Sequence, residues 1–392
     1  MANNVLLKQA QKAKQDEFYT SYEDIQAELN HYEKHFRGKT VLCNCDDPFE
    51  SNFCKFFLVN FNYLGLRRLI CTSYKSSFVI GSQFSIFDED NALVVPEHGY
   101  VMDITEVPMA NGRGVSDDDI RRLLTSKKRG VKRLKGDGDF RSEECIEYLK
   151  QADIVVTNPP FSLFKEYVAQ LMEYNKKFLI IGNQNAITYK EIFPLIRDNK
   201  IWLGASIHSG DREFRIPPHY EARSKSLRID EFGNRYIRVV GVRWYTNLDY
   251  SQRHEELISY RSYSPEEYPT YDNYHAINVD KTVDIPGDYL GVMGVPITFL
   301  DKHNPDQFVI IGLAPERLSE AEASLQIKRY LNAVQHNSDG STQGGNKVND
   351  GPVLAHDNIP PKFPYYTSES APNKYLQVLY ARVLIRRKEA SE

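Results

Sequence analysis

The chain has 392 residues, with 49 Lys and Arg against 53 Asp and Glu, 41% hydrophobic residues and a formal net charge of −4. That length holds two or three domains with ample core, and the acidic balance excludes a histone-like coat for nucleic acid, so any such contact must come from basic residues gathered locally. No apolar run of about 18 residues suggests a membrane span, Met1 to Lys14 has no apolar leader core, and the five cysteines, an odd number confined to the first 145 residues, read as reduced thiols of a soluble cytoplasmic protein.

Asp24 to Phe36 has Ile25, Leu29, Tyr32 and Phe36 at helical spacing, and Gly38 caps it. Thr40 to Cys45 reads as a buried strand ending in Asp46-Asp47-Pro48. A helix from Asn52 to Leu64, closed by Gly65, leads to a second strand, Arg68 to Ser73. Strand, helix and strand at this spacing predict a βαβ unit and a parallel sheet. Ser77 to Val107 reads as β-rich, and Ser116 to Lys135 as a capped segment that turns strongly basic. The alternating pattern then resumes with strand Asp153 to Thr157, helix Ser162 to Tyr174, strand Phe178 to Gly182, helix Tyr189 to Asp198, strand Ile201 to Gly204 and one long strand, Tyr236 to Tyr245.

Beyond Asp249 the chain becomes rich in Tyr, Pro and Asp. Two short strands are predicted between Val292 and Gly312, a helix over Ser319 to Val334, a mobile loop over 336–361, and a strand from Tyr375 to Leu384. The expected division is a domain of residues 1–250 followed by a mixed α+β region, 251–392.

Chemistry concentrates where the strand Asp153 to Thr157 runs into Asn158-Pro159-Pro160-Phe161. A buried strand delivers these residues to its carboxyl end, where open α/β sheets hold ligands. Two prolines fix the backbone and remove two N–H donors, leaving free carbonyls, one amide and one ring. The Asn158 oxygen and the Pro159 carbonyl could accept both hydrogens of a planar amine while Phe161 stacks on its ring. The amine lone pair would then be poised for an electrophilic methyl group. Cys43, Cys45, Cys54 and Cys71 lack the spacing of a tetrahedral metal set and read as small buried hydrophobes; the chemistry needs no metal.

The Asn158 turn resembles the signature of S-adenosylmethionine-dependent amino-methyltransferases. Together with Asp16-Glu17-Phe18-Tyr19-Thr20, Cys43-Asn44-Cys45-Asp46-Asp47-Pro48, Val242-Arg243-Trp244-Tyr245-Thr246-Asn247, Met293-Gly294-Val295-Pro296 and Tyr380-Ala381-Arg382-Val383, it is similar to the EcoRI-type adenine-specific DNA modification methyltransferases over nearly the whole chain. The resemblance implies a Rossmann-like S-adenosylmethionine-binding catalytic sheet followed by a target-recognition region. It implies that Tyr19 and Thr20 help hold the methionine part of the cofactor, that Asn44, Asp46 and Asp47 face it, and that Asp139 and Phe140 hold its adenine. Ser51 and Phe53 stand where the wider pattern Asp-Pro-x-x-Gly-x-Gly has glycines, so close backbone approach is less assured. No acid follows the second strand at Thr72-Ser73-Tyr74, and another residue or a main-chain group must serve the ribose.

Two basic clusters could neutralise DNA phosphates. One contains Lys128 and Arg129. The other, at the ligand-facing rim, contains Arg212, Arg215, Arg223, Lys225 and Arg228 and is the favoured DNA-contacting loop. Reaching a stacked adenine requires flipping it out of the duplex, with Phe161, and more weakly Trp244 or Tyr245, replacing lost stacking. The expected protein is a site-specific DNA adenine N6-methyltransferase releasing S-adenosylhomocysteine, in restriction-modification or epigenetic marking. Its expected partners are double-stranded DNA and a separately acting restriction endonuclease, with no membrane. A bacterial or phage-encoded cytoplasmic monomer associated with the nucleoid is expected. The alternatives are the same fold acting on protein glutamine, RNA adenine or cytosine N4, and an inactive DNA-binding homologue.

Overall fold

The structure is a computed structural model describing residues 20–46, 51–74, 98–108, 115–116, 119–120, 122–123, 131–206, 212–216, 227–314, 317–318 and 328–388. The chain divides into two compact units, Met1–Ile187 with Ile201–Tyr250, and Thr188–Lys200 with Ser251–Glu392.

The first unit is α/β. Its helices include α1 (Tyr22–Leu29), α2 (Glu33–Phe36), α3 (Asn52–Val59), α4 (Phe61–Leu64), α5 (Glu143–Gln151) and α6 (Phe164–Glu173). An eight-stranded mixed sheet is built from β1 (Thr40–Asn44), β2 (Arg68–Ser73), β3 (Tyr100–Ile104), β4 (Lys132–Arg133), β5 (Ile154–Thr157), β6 (Lys177–Asn183), β7 (Trp202–Leu203) and β11 (Val242–Thr246), in the order β4-β3-β2-β1-β5-β6-β11-β7. The central strands β2, β1, β5 and β6 are parallel; β3 and β11 flank them antiparallel. Every residue of β1 and β5 is buried, as expected of parallel strands covered on both faces. On one face Val41, Cys43, Val156 and Leu179 meet Ile25, Leu29, Phe53 and Phe57 of α1 and α3. Ser21 starts α1 by accepting from the Asp24 amide at 3.1 Å, as an N-cap should.

A three-stranded antiparallel sheet is inserted between β7 and β11: β8 (Arg212–Ile216), β9 (Leu227–Ile229) and β10 (Arg235–Val239), ordered β8-β10-β9. The single strand expected from Tyr236 to Tyr245 is therefore two strands in two sheets. Gly241, at φ 73°, supplies the left-handed residue that breaks them.

The second unit is built mainly of strands. One five-stranded sheet runs β12-β13-β21-β14-β15, with β12 (Ile277–Asn278), β13 (Met293–Pro296), β14 (Phe308–Leu313), β15 (Arg317–Leu318) and β21 (Arg382–Arg387). The other runs β17-β16-β19-β20-β18, with β16 (Val334–His336), β17 (Thr342–Gly344), β18 (Val353–His356), β19 (Tyr365–Ser368) and β20 (Ala371–Val378). The short helix α7 (Phe193–Arg197) packs on β14, which is why Thr188–Lys200 belongs here. It is also shorter than the helix expected from Tyr189 to Asp198.

Several expectations are corrected here. Among the described residues of 251–392 helical turns are all 3-10 and no α-helix occurs, so the described part of the region is β-rich. The segment 336–361 is no irregular loop. Gly340 lies in the turn between β16 and β17, Gly345, Gly351 and Pro352 lie between β17 and β18, and Val348 and Val353 are fully buried in the core beneath that sheet. Gly345 lies so close to Ala333 that a Cβ would meet its backbone at 2.7 Å. The helix expected from Ser319 falls largely outside the described residues, and Val334 opens β16. The strand expected from Tyr375 to Leu384 is interrupted between β20 and β21. Cys54 and Cys71, expected as reduced thiols, are joined in a disulfide because α3 packs across β2; Cys43, Cys45 and Cys145 remain thiols. No described helix is long and apolar enough to cross a membrane.

Candidate active site

The chain runs from β1 to β2 on one side of the sheet and from β5 to β6 on the other, so the strand order reverses between β1 and β5, and open α/β sheets hold ligands at the carboxyl ends of such a pair. β5 delivers Thr157 and Asn158 there. Pro160 extends the chain, a 3-10 turn over Phe161–Leu163 follows, and α6 begins. Asn158 is 8% exposed. Its Nδ2 donates to Thr20 Oγ1 at 3.4 Å, and Asn52 Nδ2 donates to the Thr20 carbonyl at 2.7 Å. Two predicted residues from distant parts of the chain, Thr20 and Asn158, are thus in contact. Phe161 is buried, its ring edge-on to Phe214 with centroids 6.5 Å apart.

The end of β1 is held by a second set of bonds. Tyr167 donates its hydroxyl to Asn44 Oδ1, and burial pushes the Tyr167 phenol well above its ordinary value, so it stays a donor. Cys45 adopts φ 68°, which turns the chain so that the Asp46 amide reaches the Thr72 carbonyl at 3.1 Å. Asp46 accepts from Ser51 Oγ at 2.7 Å through Oδ1 and from Thr157 Oγ1 through Oδ2. Ser51 in turn caps α3, accepting from the Phe53 amide at 3.1 Å. Both carboxylate oxygens of Asp46 are therefore engaged inside the protein, and the side chain braces the loop. Asp47 and Tyr19 lie outside the described residues.

Beside β2, Gly138 sits at φ 81° where a Cβ would stand 2.1 Å from the Ser73 carbonyl oxygen, so the loop bearing Asp139 and Phe140 is pressed onto that strand end. Asp139 pairs with Arg141 at 2.6 Å. Phe140 is edge-on to Tyr167 at 5.0 Å. The Thr72 and Ser73 hydroxyls are buried, and among the described residues no group hydrogen-bonds them.

The small sheet carries the basic residues. Alternation turns Phe214, Ile216 and Ile237 inward and Glu213, Arg215 and Arg238 outward. Phe214 is the residue that meets Phe161, so Arg215 projects from the opposite face and does not line the Asn158 turn. Arg228 is held by Glu213 at 2.7 Å and lies over the Tyr236 ring at 4.4 Å; that guanidinium holds the Glu213 carboxyl below its ordinary value. Arg212 faces Asp24 at 3.3 Å. Lys128, Arg129, Arg223 and Lys225 lie outside the described residues. Trp244 and Tyr245, considered for stacking, are core residues packed on Phe53 and Phe164.

Sequence reasoning noted Ser51 only as a departure from the glycine pattern and gave no role to Asn52, Thr157 or Tyr167. Thr157 left a signal, a hydroxyl closing an otherwise apolar strand.

An amide side chain at the end of a central parallel strand suits transfer to an amine, the work of an amino-methyltransferase. A family model described as "Adenine-specific methyltransferase EcoRI" matches residues 6–388. Type II methyltransferase M.EcoRI of Escherichia coli is 51% identical over 312 residues, 79% of this chain and 89% of its own length. Type II methyltransferase M.MpnI of Mycoplasma pneumoniae is 37% identical over 310 residues, 77% of this chain and 83% of its own. Type II methyltransferase M.MgeORF184P of Mycoplasma genitalium is 36% identical over 306 residues, 77% and 84% respectively. No solved structure matches. The chain belongs to the EcoRI family of adenine-specific methyltransferases. Such enzymes use S-adenosylmethionine as methyl donor.

Proposed function

We propose that the protein methylates N6 of an adenine flipped out of duplex DNA, at a defined sequence, with Asn158 and Pro159 gripping the amine. The observation that carries this reading is Asn158 at the carboxyl end of β5, next to the end of β1 and in contact with Thr20. The first unit is read as a Rossmann-like catalytic domain and the second as the target-recognition region. A type II modification role is supported by the relatives' names; a separate restriction endonuclease and a cytoplasmic monomer are read from the resemblance.

The residues at the ends of β1 and β2 fit a nucleoside-bearing cofactor. Thr72 and Ser73 offer buried hydroxyls without described partners, neutral polar atoms suited to ribose hydroxyls where an acid is absent. Asn44 and the Asp139-Phe140 loop border the same strand ends. S-adenosylmethionine, when bound, supplies a methyl group on a positively charged sulfur.

Asn158 Oδ1 and the Pro159 carbonyl accept the two amine hydrogens and hold the nitrogen lone pair toward the methyl carbon. The bound cofactor would supply the methyl group to that nitrogen, with S-adenosylhomocysteine leaving and the nitrogen giving up one proton. Positioning supplies most of the acceleration. Asn158→Ala is expected to abolish methylation of duplex DNA while cofactor affinity, measured by calorimetry, is retained. Near-normal methylation by that variant, read by methylation-sensitive sequencing, would overturn the assignment.

A further inference from the structure

We infer that Thr157 is a positioning residue for methyl transfer, its hydroxyl clamping the strand end that bears Asn158 to the loop after β1 through Asp46. This rests on the reading of Asn158 as the residue that grips the amine.

Thr157 is fully buried at the last position of β5. Valine has the same branched shape and would fill that position without desolvating a hydroxyl, so packing alone gives no reason for threonine. The hydroxyl meets two acceptors, the Asn44 carbonyl and Asp46 Oδ2, with one hydrogen to share between them. Asn44 ends β1 and Asp46 lies in the turn after it, so one side chain ties two adjacent strand ends together. The chain of bonds continues from Asp46 Oδ1 to Ser51 Oγ, and from Ser51 to the first turn of α3.

Ser51 stands where the wider methyltransferase pattern has its first glycine. Here its hydroxyl supports Asp46, and Asp46 supports Thr157. The neighbouring Asn52 holds the Thr20 backbone, and the Thr20 hydroxyl meets Asn158 from the other side. The amide of Asn158 is thus set by Thr157 along the backbone and by Thr20 across space. A rigid clamp matters because amine, methyl carbon and sulfur must lie in line, and a displacement of about 1 Å can cost roughly 100-fold in rate. Ground-state binding asks for no such precision. Thr157 should act on the chemical step and not on affinity.

The test compares wild type with Thr157→Val, Thr157→Ser, Ser51→Ala and Asn158→Ala. Single-turnover methylation is measured at saturating S-adenosylmethionine and duplex DNA, with both dissociation constants measured separately. Thr157→Val is expected to slow the single-turnover rate by about 10- to 100-fold with both dissociation constants within about threefold of wild type, and Thr157→Ser to recover to within about threefold. A wild-type rate in Thr157→Val overturns the inference. So does a Thr157→Ser rate as low as that of Thr157→Val, since the missing methyl would then be the cause. Should Thr157→Val fail to fold, Ser51→Ala removes support from the other end of the same chain: a reduced rate at unchanged affinities supports the clamp, and a wild-type rate overturns it. An active Asn158→Ala overturns the reading of the site itself. An inactive Asn158→Ala beside a wild-type rate in Thr157→Val overturns only the role of Thr157.

Discussion

Glu28 shows what one buried side chain can organise. It is fully buried on α1 and accepts from Tyr32 Oη at 2.9 Å and from the Ala205 and Ser206 amides at 2.7 Å each. Burial, reinforced by Glu28, pushes the Tyr32 phenol far above its ordinary value, so Tyr32 remains a donor. Three donors satisfy the carboxylate and fix the turn after β7. Glu28→Gln would aim an NH₂ group at one of those donors, and a buried charge-assisted bond is worth about 1.5–3 kcal/mol. A loss of about 2–3 kcal/mol in unfolding free energy is therefore expected, read as a lower urea midpoint; an unchanged midpoint would mean the three bonds contribute nothing net. The Tyr32 bond was open to sequence reasoning, since the two residues are four apart within the helix expected over Asp24 to Phe36. The bonds to Ala205 and Ser206 were not, because they span 177 and 178 positions.

At the scale of elements, the three-stranded sheet separates two properties that the linear sequence mixes. The stretch from Arg212 to Arg238 reads simply as basic. Folded, its period-two alternation gives an apolar face toward Phe161 and an outer face with Arg215, Arg228 and Arg238, the last not singled out from sequence. Replacing these three arginines by alanine is expected to weaken DNA binding across sequences. It should also make the plot of log affinity against log salt shallower by about one unit for each phosphate no longer neutralised, with cofactor affinity unchanged. A salt slope equal to wild type would remove this face from the DNA-binding surface. The break at Gly241 belongs to the same scale. The apolar pattern runs through it, and only the left-handed φ reveals that β10 and β11 belong to different sheets.

For the whole molecule, the response to acid has an identifiable source in the second unit. Burial, with further repulsion from Arg253 and Lys388, lowers His303 from 6.5 to about 4 despite its bond to the Phe308 carbonyl at 3.2 Å. The folded state keeps this imidazole neutral, whereas the unfolded chain protonates it as pH falls below 6.5. Its contribution is complete above that value and is lost progressively between 6.5 and 4, at about 1.4 kcal/mol per pH unit. His303→Gln should flatten the fall in urea midpoint across this window; an identical pH dependence in the variant would assign the acid sensitivity elsewhere.

The sequence by itself determined what is local. Strand and helix periodicity and the Asn158-Pro159-Pro160-Phe161 turn arise from residues within a few positions of one another, and the family from the order of such short motifs along the chain. The tertiary structure decided what depends on partners far along the chain. It set the strand order that places β1 beside β5 and the disulfide between α3 and β2. It arranged short strands around glycine turns where composition suggested a loop, and it put Asp46 to work as a brace. Thr157 meets Asn44 and Asp46 across 113 and 111 positions. Periodicity carries no record of such meetings, because a buried hydroxyl gains its significance only from the acceptors that folding brings to it.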